Sequence, residues 1–137
     1  MLANGYALTA ETPSVDDYCR LRVVAGLSPK SEAAAVRGLP NTWFAVVLRK
    51  DGEAVGMGRI IGDGGLFFQI VDIAVEPTHQ GQGLGKAIVA ALVDRLREGA
   101  RGAYVSLIAD GEASRLYAQY GFKPTTPKSI GMAMVIP

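Results

Sequence analysis

Apolar positions recur along the chain at two periods, and each stretch predicts its own element. Residues 6–9 read as a short strand. Thr12-Pro13-Ser14 then opens a helix over residues 15–24, with Tyr18, Leu21 and Ala25 on one stripe and Gly26 closing it. A second, short helix is predicted over 31–37, alanine-rich, capped by Ser31 with Glu32 in its first turn; Gly38 and Pro40 end it. Residues 43–48 have the composition of a buried strand. Asp51-Gly52 between two strand patterns signals a hairpin, so 54–61 returns antiparallel. Gly62-Asp63-Gly64-Gly65 turns the chain into 66–75, long and largely apolar, which suits a central strand covered on both faces.

The second half changes period. After a loop over 77–83, residues 84–98 form an amphipathic helix: Leu84, Ile88, Leu92 and Leu96 stand at i, i+4 spacing with Val89 and Val93 beside them. Arg95 and Arg97 sit in its last turn and Gly99 follows, as a helix C-terminus prefers. A strand over 104–109, a short helix over 112–120 ended by Gly121, and a tail from Phe122 complete the order. Strand–helix–strand implies a right-handed crossover and parallel pairing. No repeat or linker interrupts the chain, so one α/β domain over 1–137 is expected: a mixed, twisted sheet, antiparallel in its first half.

Composition narrows the function classes. The 137 residues are 49% hydrophobic and 20% charged, which describes a folded domain rather than a disordered one. A net charge of +1 gives no whole-molecule field favouring nucleic acid or anionic lipid. One cysteine (Cys19) and one histidine (His79) exclude an intramolecular disulfide and a Cys/His zinc site, and no metal is expected. The longest apolar run, 87–93, stops at Asp94, far short of a membrane span. Residues 1–4 carry no basic, apolar leader pattern, so a cytoplasmic location is expected.

The most informative stretch is Gln80-Gly81-Gln82-Gly83-Leu84-Gly85-Lys86, after a strand and before the long helix. Glycines there let backbone approach a ligand, and the unpaired first N–H groups of a helix suit phosphate. The dinucleotide fingerprint G-x-G-x-x-G fails, because its sixth position from Gly81 is Lys86. A Walker A loop fails too, because Gln80 and Ala87 replace its first glycine and its hydroxyl. The spacing that fits is [RQ]-x-x-G-x-[GA], read as Gln80, Gly83 and Gly85.

With Ile73-Ala74-Val75-Glu76-Pro77 ahead of it, this loop resembles the pyrophosphate loop of the GNAT family of acyl-CoA-dependent N-acetyltransferases. Leu116-Tyr117-Ala118-Gln119-Tyr120-Gly121-Phe122 resembles that family's later signature, a tyrosine four residues before Gly-Phe. The two motifs stand in the family's order, and the similarity covers roughly residues 6–136. The resemblance implies a single-domain α/β fold with helices on both faces and a parallel strand pair splayed where acetyl-CoA, the acyl donor, binds. It implies pyrophosphate binding by the amides of Gln80, Gly81, Gln82, Gly83, Leu84 and Gly85, with Lys86 either a charge contact or solvated. Free strand amides at Ile73, Ala74 and Val75 would meet the acetyl and pantetheine groups. Tyr117 would protonate the leaving thiolate.

The resemblance also implies a primary-amine acceptor, on a small molecule or a peptide, which would arrive protonated and need a base, directly or through water. Strict alternation puts Asp72, Ala74 and Glu76 on one strand face and Val71, Ile73 and Val75 on the other, barring a bulge. Asp72, a carboxylate in an apolar strand, needs either a partner or a function as base or substrate anchor. Glu76 is expected at the exposed strand end and His79 on the loop surface. The chain departs from the family twice: Gln69 stands where some members carry a glutamate base, and Asp110 where many carry an asparagine. By the same resemblance, residues 26–41 and 123–130 would frame the acceptor pocket, their Lys30, Glu32 and Arg37 being ordinary surface charges. Two other classes stay open. One is a domain that binds acyl-CoA without turnover. The other is an interaction protein pairing through an exposed strand at 131–136, and a homodimer is compatible with that feature.

Overall fold

A computed structural model of the chain describes residue 2 and residues 5–137; the leader reading of residues 1–4 otherwise lies outside the described residues. The chain forms two compact units, Met1–Leu107 and Ile108–Pro137. In the first, local signals act where they were read. Ser14 Oγ accepts the Asp17 N–H at 3.1 Å and starts α1 (Val15–Val24); Ser31 Oγ accepts the Ala34 N–H at 3.1 Å and starts α2 (Glu32–Gly38). Asp51 and Gly52 both take positive φ, +50° and +88°, as a type I′ hairpin between β2 (Phe44–Lys50) and β3 (Glu53–Gly62) demands. Asp63 Oδ1 accepts the N–H groups of Gly65, Leu66 and Phe67, closing the turn into β4 (Phe67–Val75).

With β1 (Tyr6–Ala10) and β5 (Tyr104–Ser106), the strands form one sheet in the order β1-β2-β3-β4-β5, antiparallel through β4 and parallel between β4 and β5. The mixed α/β sheet read from the sequence is therefore present. On one face, Tyr18, Leu21, Ala35 and Leu39 of α1, α2 and the turn after α2 pack on Val47, Ala54, Met57 and Ala74. On the other lies α3 (Leu84–Gly99), whose Ile88, Val89 and Leu92 are fully buried. Gly58 makes that approach possible, because a Cβ there would stand 2.6 Å from Ile88 Cγ2. Arg95 of α3 stacks over Trp43, 4.4 Å from its ring centre, and Trp43 in turn meets Phe68 edge-on. No helix among the described residues is long and apolar enough to cross a membrane.

Strand β4 departs from simple alternation. Phe68 and Ile70 pair with Gly62 and Ile60, and by strict parity Asp72 would join Phe68 on the α3 face. Instead the register slips between the pairs Arg59–Val71 and Met57–Ala74, and Asp72 takes a φ of +60°. The bulge turns its carboxylate to the α1 face. There, with only 4% of the side chain exposed, Oδ1 accepts Arg22 Nη1 at 2.6 Å and the Tyr18 hydroxyl at 3.0 Å, while Oδ2 accepts Arg59 Nη1 at 2.6 Å. Strict alternation between Val71 and Ile73 is accordingly corrected: Val71 pairs with Arg59, whereas Ile73 points at the α3 side, near Gly58. A buried charge on the apolar α3 interface would find no partner, and the bulge moves it to two.

Two strand expectations fail. β5 stops at Ser106 rather than 109, at the point where its pairing with β4 ends. In the second unit, residues 131–136 form no strand: Met132, Met134, Val135 and Ile136 are exposed and irregular. That unit holds a 3₁₀ turn at Gly111–Ala113 and α4 (Ser114–Ala118), shorter than the helix predicted over 112–120.

Asp72→Asn tests the ion cluster cleanly, since asparagine tolerates positive φ as aspartate does. It leaves two buried guanidinium groups facing a neutral amide and should cost about 3–5 kcal/mol in urea unfolding; a loss below about 1 kcal/mol would show that the cluster does not hold α1 to the sheet.

Candidate active site

Two features of the first unit meet at the end of β4. The pairing of β4 with β5 covers only Phe67–Tyr104, Phe68–Val105 and Gln69–Ser106, so the next six residues of β4 leave that edge without a strand partner. This is the splayed parallel pair. Beyond Val75 the chain makes a 3₁₀ turn, Pro77–His79, and then the glycine loop that enters α3. Gly81 and Gly83 take φ of +82° and +78°, a region that costs other L-residues roughly 1–2 kcal/mol. Nothing lies within 4 Å of a Cβ built at Gly81, Gly83 or Gly85, so the backbone there faces open space. Gly83 caps α3 without a side-chain hydrogen bond, so no side chain competes for the first-turn N–H groups of a 16-residue helix. That is the geometry a pyrophosphate needs, and the residues present fit it.

The loop is fixed by its neighbours. Gln80 Nε2 donates to the Val75 carbonyl at 2.9 Å, tying loop to strand end. Gln82 Nε2 donates to the His79 carbonyl and to the Tyr6 hydroxyl, both at 3.2 Å, and that hydroxyl shares a 2.6 Å hydrogen bond with His79 Nδ1. His79 is therefore half-buried and held by β1, not a loose surface residue. Glu76 is likewise corrected: it is partly buried and ion-paired with Arg20 of α1. Arg20 Nη2 also donates to the Ala54 carbonyl at 2.7 Å, so α1 clamps the strand ends from which the loop departs.

Asp72 has found partners. Both oxygens are engaged by guanidinium groups, a commitment that suits an anchor of structure far better than a free proton acceptor. The arginines were legible in principle: Arg59 is a charge inside an apolar strand, as Asp72 is, and Arg22 follows Tyr18 by one helical turn. Burial, then the charge of Asp72, raise the Tyr18 pKa and keep its phenol a neutral donor.

Of the segments expected to frame an acceptor, the first contributes Lys30, Ala34, Ala35, Gly38 and Leu39 to a cavity of about 80 Å³ that Tyr18 and Arg59 complete. Residues 123–130 belong to the second unit and are exposed.

In the second unit, Tyr117 sits on α4 with 9% exposure, edge-on to Phe122 at 6.2 Å between ring centres. Burial, with a smaller push from the Asp110 charge, raises its pKa above the ordinary phenol value. Its hydroxyl makes no hydrogen bond among the described residues and is not sealed from the surface. Among the described residues no three His, Cys, Asp or Glu side chains gather as a metal-holding group.

Comparison with known proteins agrees with this geometry. A family model described as an acetyltransferase (GNAT) domain matches residues 41–124. A Staphylococcus aureus structure described as a probable acetyltransferase is 46% identical, covers 96% of this chain and 99% of its own, and superposes with a TM-score of 0.90. Serotonin N-acetyltransferase 2, chloroplastic, from Oryza sativa is 30% identical over 97% of this chain and 69% of its own length. The GCN5-related N-acetyltransferase 2, chloroplastic, of Arabidopsis thaliana is 37% identical over 55% of this chain; the match spans 29% of that protein's length. The loop, the splayed strand and the matched family model together place the chain in the GNAT acetyltransferase family.

Proposed function

We propose that the protein transfers an acetyl group from acetyl-CoA to a primary amine by direct attack in a ternary complex. One observation carries the reading: the unpaired edge of β4 runs straight into a glycine loop and an uncapped helix N-terminus, a strand-and-anion site in one piece. The loop amides of Gly81, Gln82, Gly83, Leu84 and Gly85 hold the pyrophosphate and Lys86 adds its charge, whereas the Gln80 N–H, expected among them, donates to the Pro77 carbonyl at 3.2 Å. The outward N–H groups of Ile73 and Val75 orient the pantetheine arm and donate to the thioester carbonyl as charge builds on its oxygen, while Ala74 between them turns its N–H to β3. The amine, having lost one proton to water, bonds to the carbonyl carbon; the nitrogen then gives up its second proton to water as the C–S bond breaks. Tyr117 gives its proton to the departing thiolate and regains one from solvent. Asp72 positions α1 and β4 rather than moving a proton. The domain is read as continuous over 1–137, since one family model runs through the junction of the two units. A cytoplasmic setting suits a chain whose one cysteine is a free thiol.

Calorimetric titration of acetyl-CoA into desalted protein, followed by an amine panel with thiol release as readout, tests the reading. Micromolar binding with transfer is expected. Binding without transfer to any amine would make this a binding module, and no binding by folded protein would overturn the site.

Gly83→Glu should weaken acetyl-CoA binding at least tenfold, because it adds a repelling charge and backbone strain at the loop. Unchanged affinity in a variant with native circular dichroism would remove the loop from the assignment. Tyr117→Phe should lower kcat on the order of 10²-fold while leaving acetyl-CoA affinity within about twofold. Since the Tyr117 pKa is raised, its proton is present throughout neutral and mildly alkaline pH. Loss of activity from its ionisation should therefore appear only above about pH 10. A Tyr117-dependent limb below pH 9 would contradict the assigned environment.

A further inference from the structure

The cavity beside the Asp72 cluster has a charge that the mechanism does not use. It lies between α1, α2 and β3, lined by the apolar Ala34, Ala35 and Leu39, the Tyr18 ring, and two cationic side chains, Lys30 and Arg59. Arg59 is 7% exposed. Its Nε donates to Thr42 Oγ1 at 2.9 Å and its Nη1 to Asp72 Oδ2 at 2.6 Å. Nη2 donates to no acceptor among the described residues, yet it is not sealed off from the surface. Arg22 differs: Nε and Nη2 donate to the carbonyl and hydroxyl of Ser28 and Nη1 to Asp72, so every nitrogen is engaged. Two guanidinium groups thus face one carboxylate, and the neutral Tyr18 phenol adds no negative charge. The surplus positive charge sits at the cavity wall, and Lys30, an exposed cationic residue, lines the same cavity.

A buried, uncompensated cation is costly, and the least costly remedy is an anion that also accepts the idle N–H groups. The cavity volume, about 80 Å³, is small beside the roughly 300–1,000 Å³ of a site for a whole drug-sized ligand. It takes one end of a molecule. Arg59 also joins this cavity to β4 through Asp72, the residue before Ile73, so a molecule whose end is held here lies near the strand that would orient the thioester.

We propose that the acceptor amine carries an acidic group, a carboxylate or a phosphate, that is received by Arg59 Nη2 with Lys30, and that these two residues select the substrate. The proposal rests on the acetyltransferase reading and names the acceptor class for it.

The test uses short aliphatic amines of matched length ending in a carboxylate, a phosphate or a carboxamide, with thiol release as readout. At least one anionic series should exceed the carboxamide in kcat/KM by on the order of tenfold or more. The better of the two names the anion. That ratio should fall several-fold in Lys30→Met, an exposed position that leaves the core intact. It should also fall in Arg59→Lys, which keeps a charge on Asp72 but gives up the planar fork. Acetyl-CoA affinity serves as the fold check for both variants. Equal rates for charged and neutral amines, or a ratio that both variants leave unchanged, would overturn the proposal. An NMR titration of the Arg59 guanidinium with 4-aminobutyrate and with its amide reads the cavity without turnover. A shift with the acid alone supports the site even if no amine is acetylated, in which case the transferase reading fails and the anion site stands. No shift with either, together with no charge preference, overturns the site itself.

Discussion

The carboxylate of Asp72 governs how the first unit is assembled. On the α3 side of this sheet a charge within the strand would face the buried side chains of Ile88, Leu92 and Phe68. A one-residue slip and a left-handed backbone at Asp72 carry it across to Arg22, Arg59 and Tyr18. The three partners come from α1 and β3, so a single residue joins helix, neighbouring strand and central strand. Such a pair need not make the fold more stable than an apolar equivalent would; what it fixes is geometry, since this register satisfies all three donors at once.

That geometry bears directly on the strand's other edge. β4 parts from β5 after Gln69, and the bulge follows within three residues. A strand released on one side would ordinarily be free to slide or twist. Here the opposite edge is held by β3 and the face by two arginines, so the end of β4 keeps its position without a strand partner on its other edge. The loop that follows is treated the same way. Tyr6, His79, Gln82 and Gln80 pin its side chains, while Gly81 and Gly83 hold a backbone conformation that only glycine adopts cheaply. Rigid support around exposed amides is the arrangement expected where a ligand must meet preorganised donors.

Much of this was legible in the sequence because it depends on local rules. The serine caps of α1 and α2, the Asp-Gly hairpin, the i, i+4 stripe of α3 and the glycines before it each act over a few residues, and the elements appear within a residue or two of expectation. The misses are long-range. Asp72 and Arg22 are 50 residues apart, and periodicity cannot say that a strand will change parity to bring them together. Glu76 and His79 looked exposed because they flank a loop; their partners, Arg20 and Tyr6, come from elements more than 50 residues away. Residues 131–136 are apolar as a strand can be, but a strand needs a neighbour as well as a composition, and among the described residues they pair with none. The later tyrosine motif was found by resemblance rather than by spacing, since a five-residue helix is too short to show a period.

Charge shows the same contrast between sum and placement. A formal total of +1 on 137 residues excludes a partner attracted by the whole surface and is silent about any single site. Fields in a protein are local: two unit charges interact several times more strongly in a partly desolvated cavity than across water, and salt screens them less there. Two arginines less than a tenth exposed, sharing one carboxylate, therefore matter more to what this protein can admit than the other twelve basic residues scattered over the chain. The cluster that sets the parity of β4 also leaves its surplus charge beside the small cavity at α2. In this fold, the residue that positions the central strand and the electrostatics available to a ligand are one decision of the sequence.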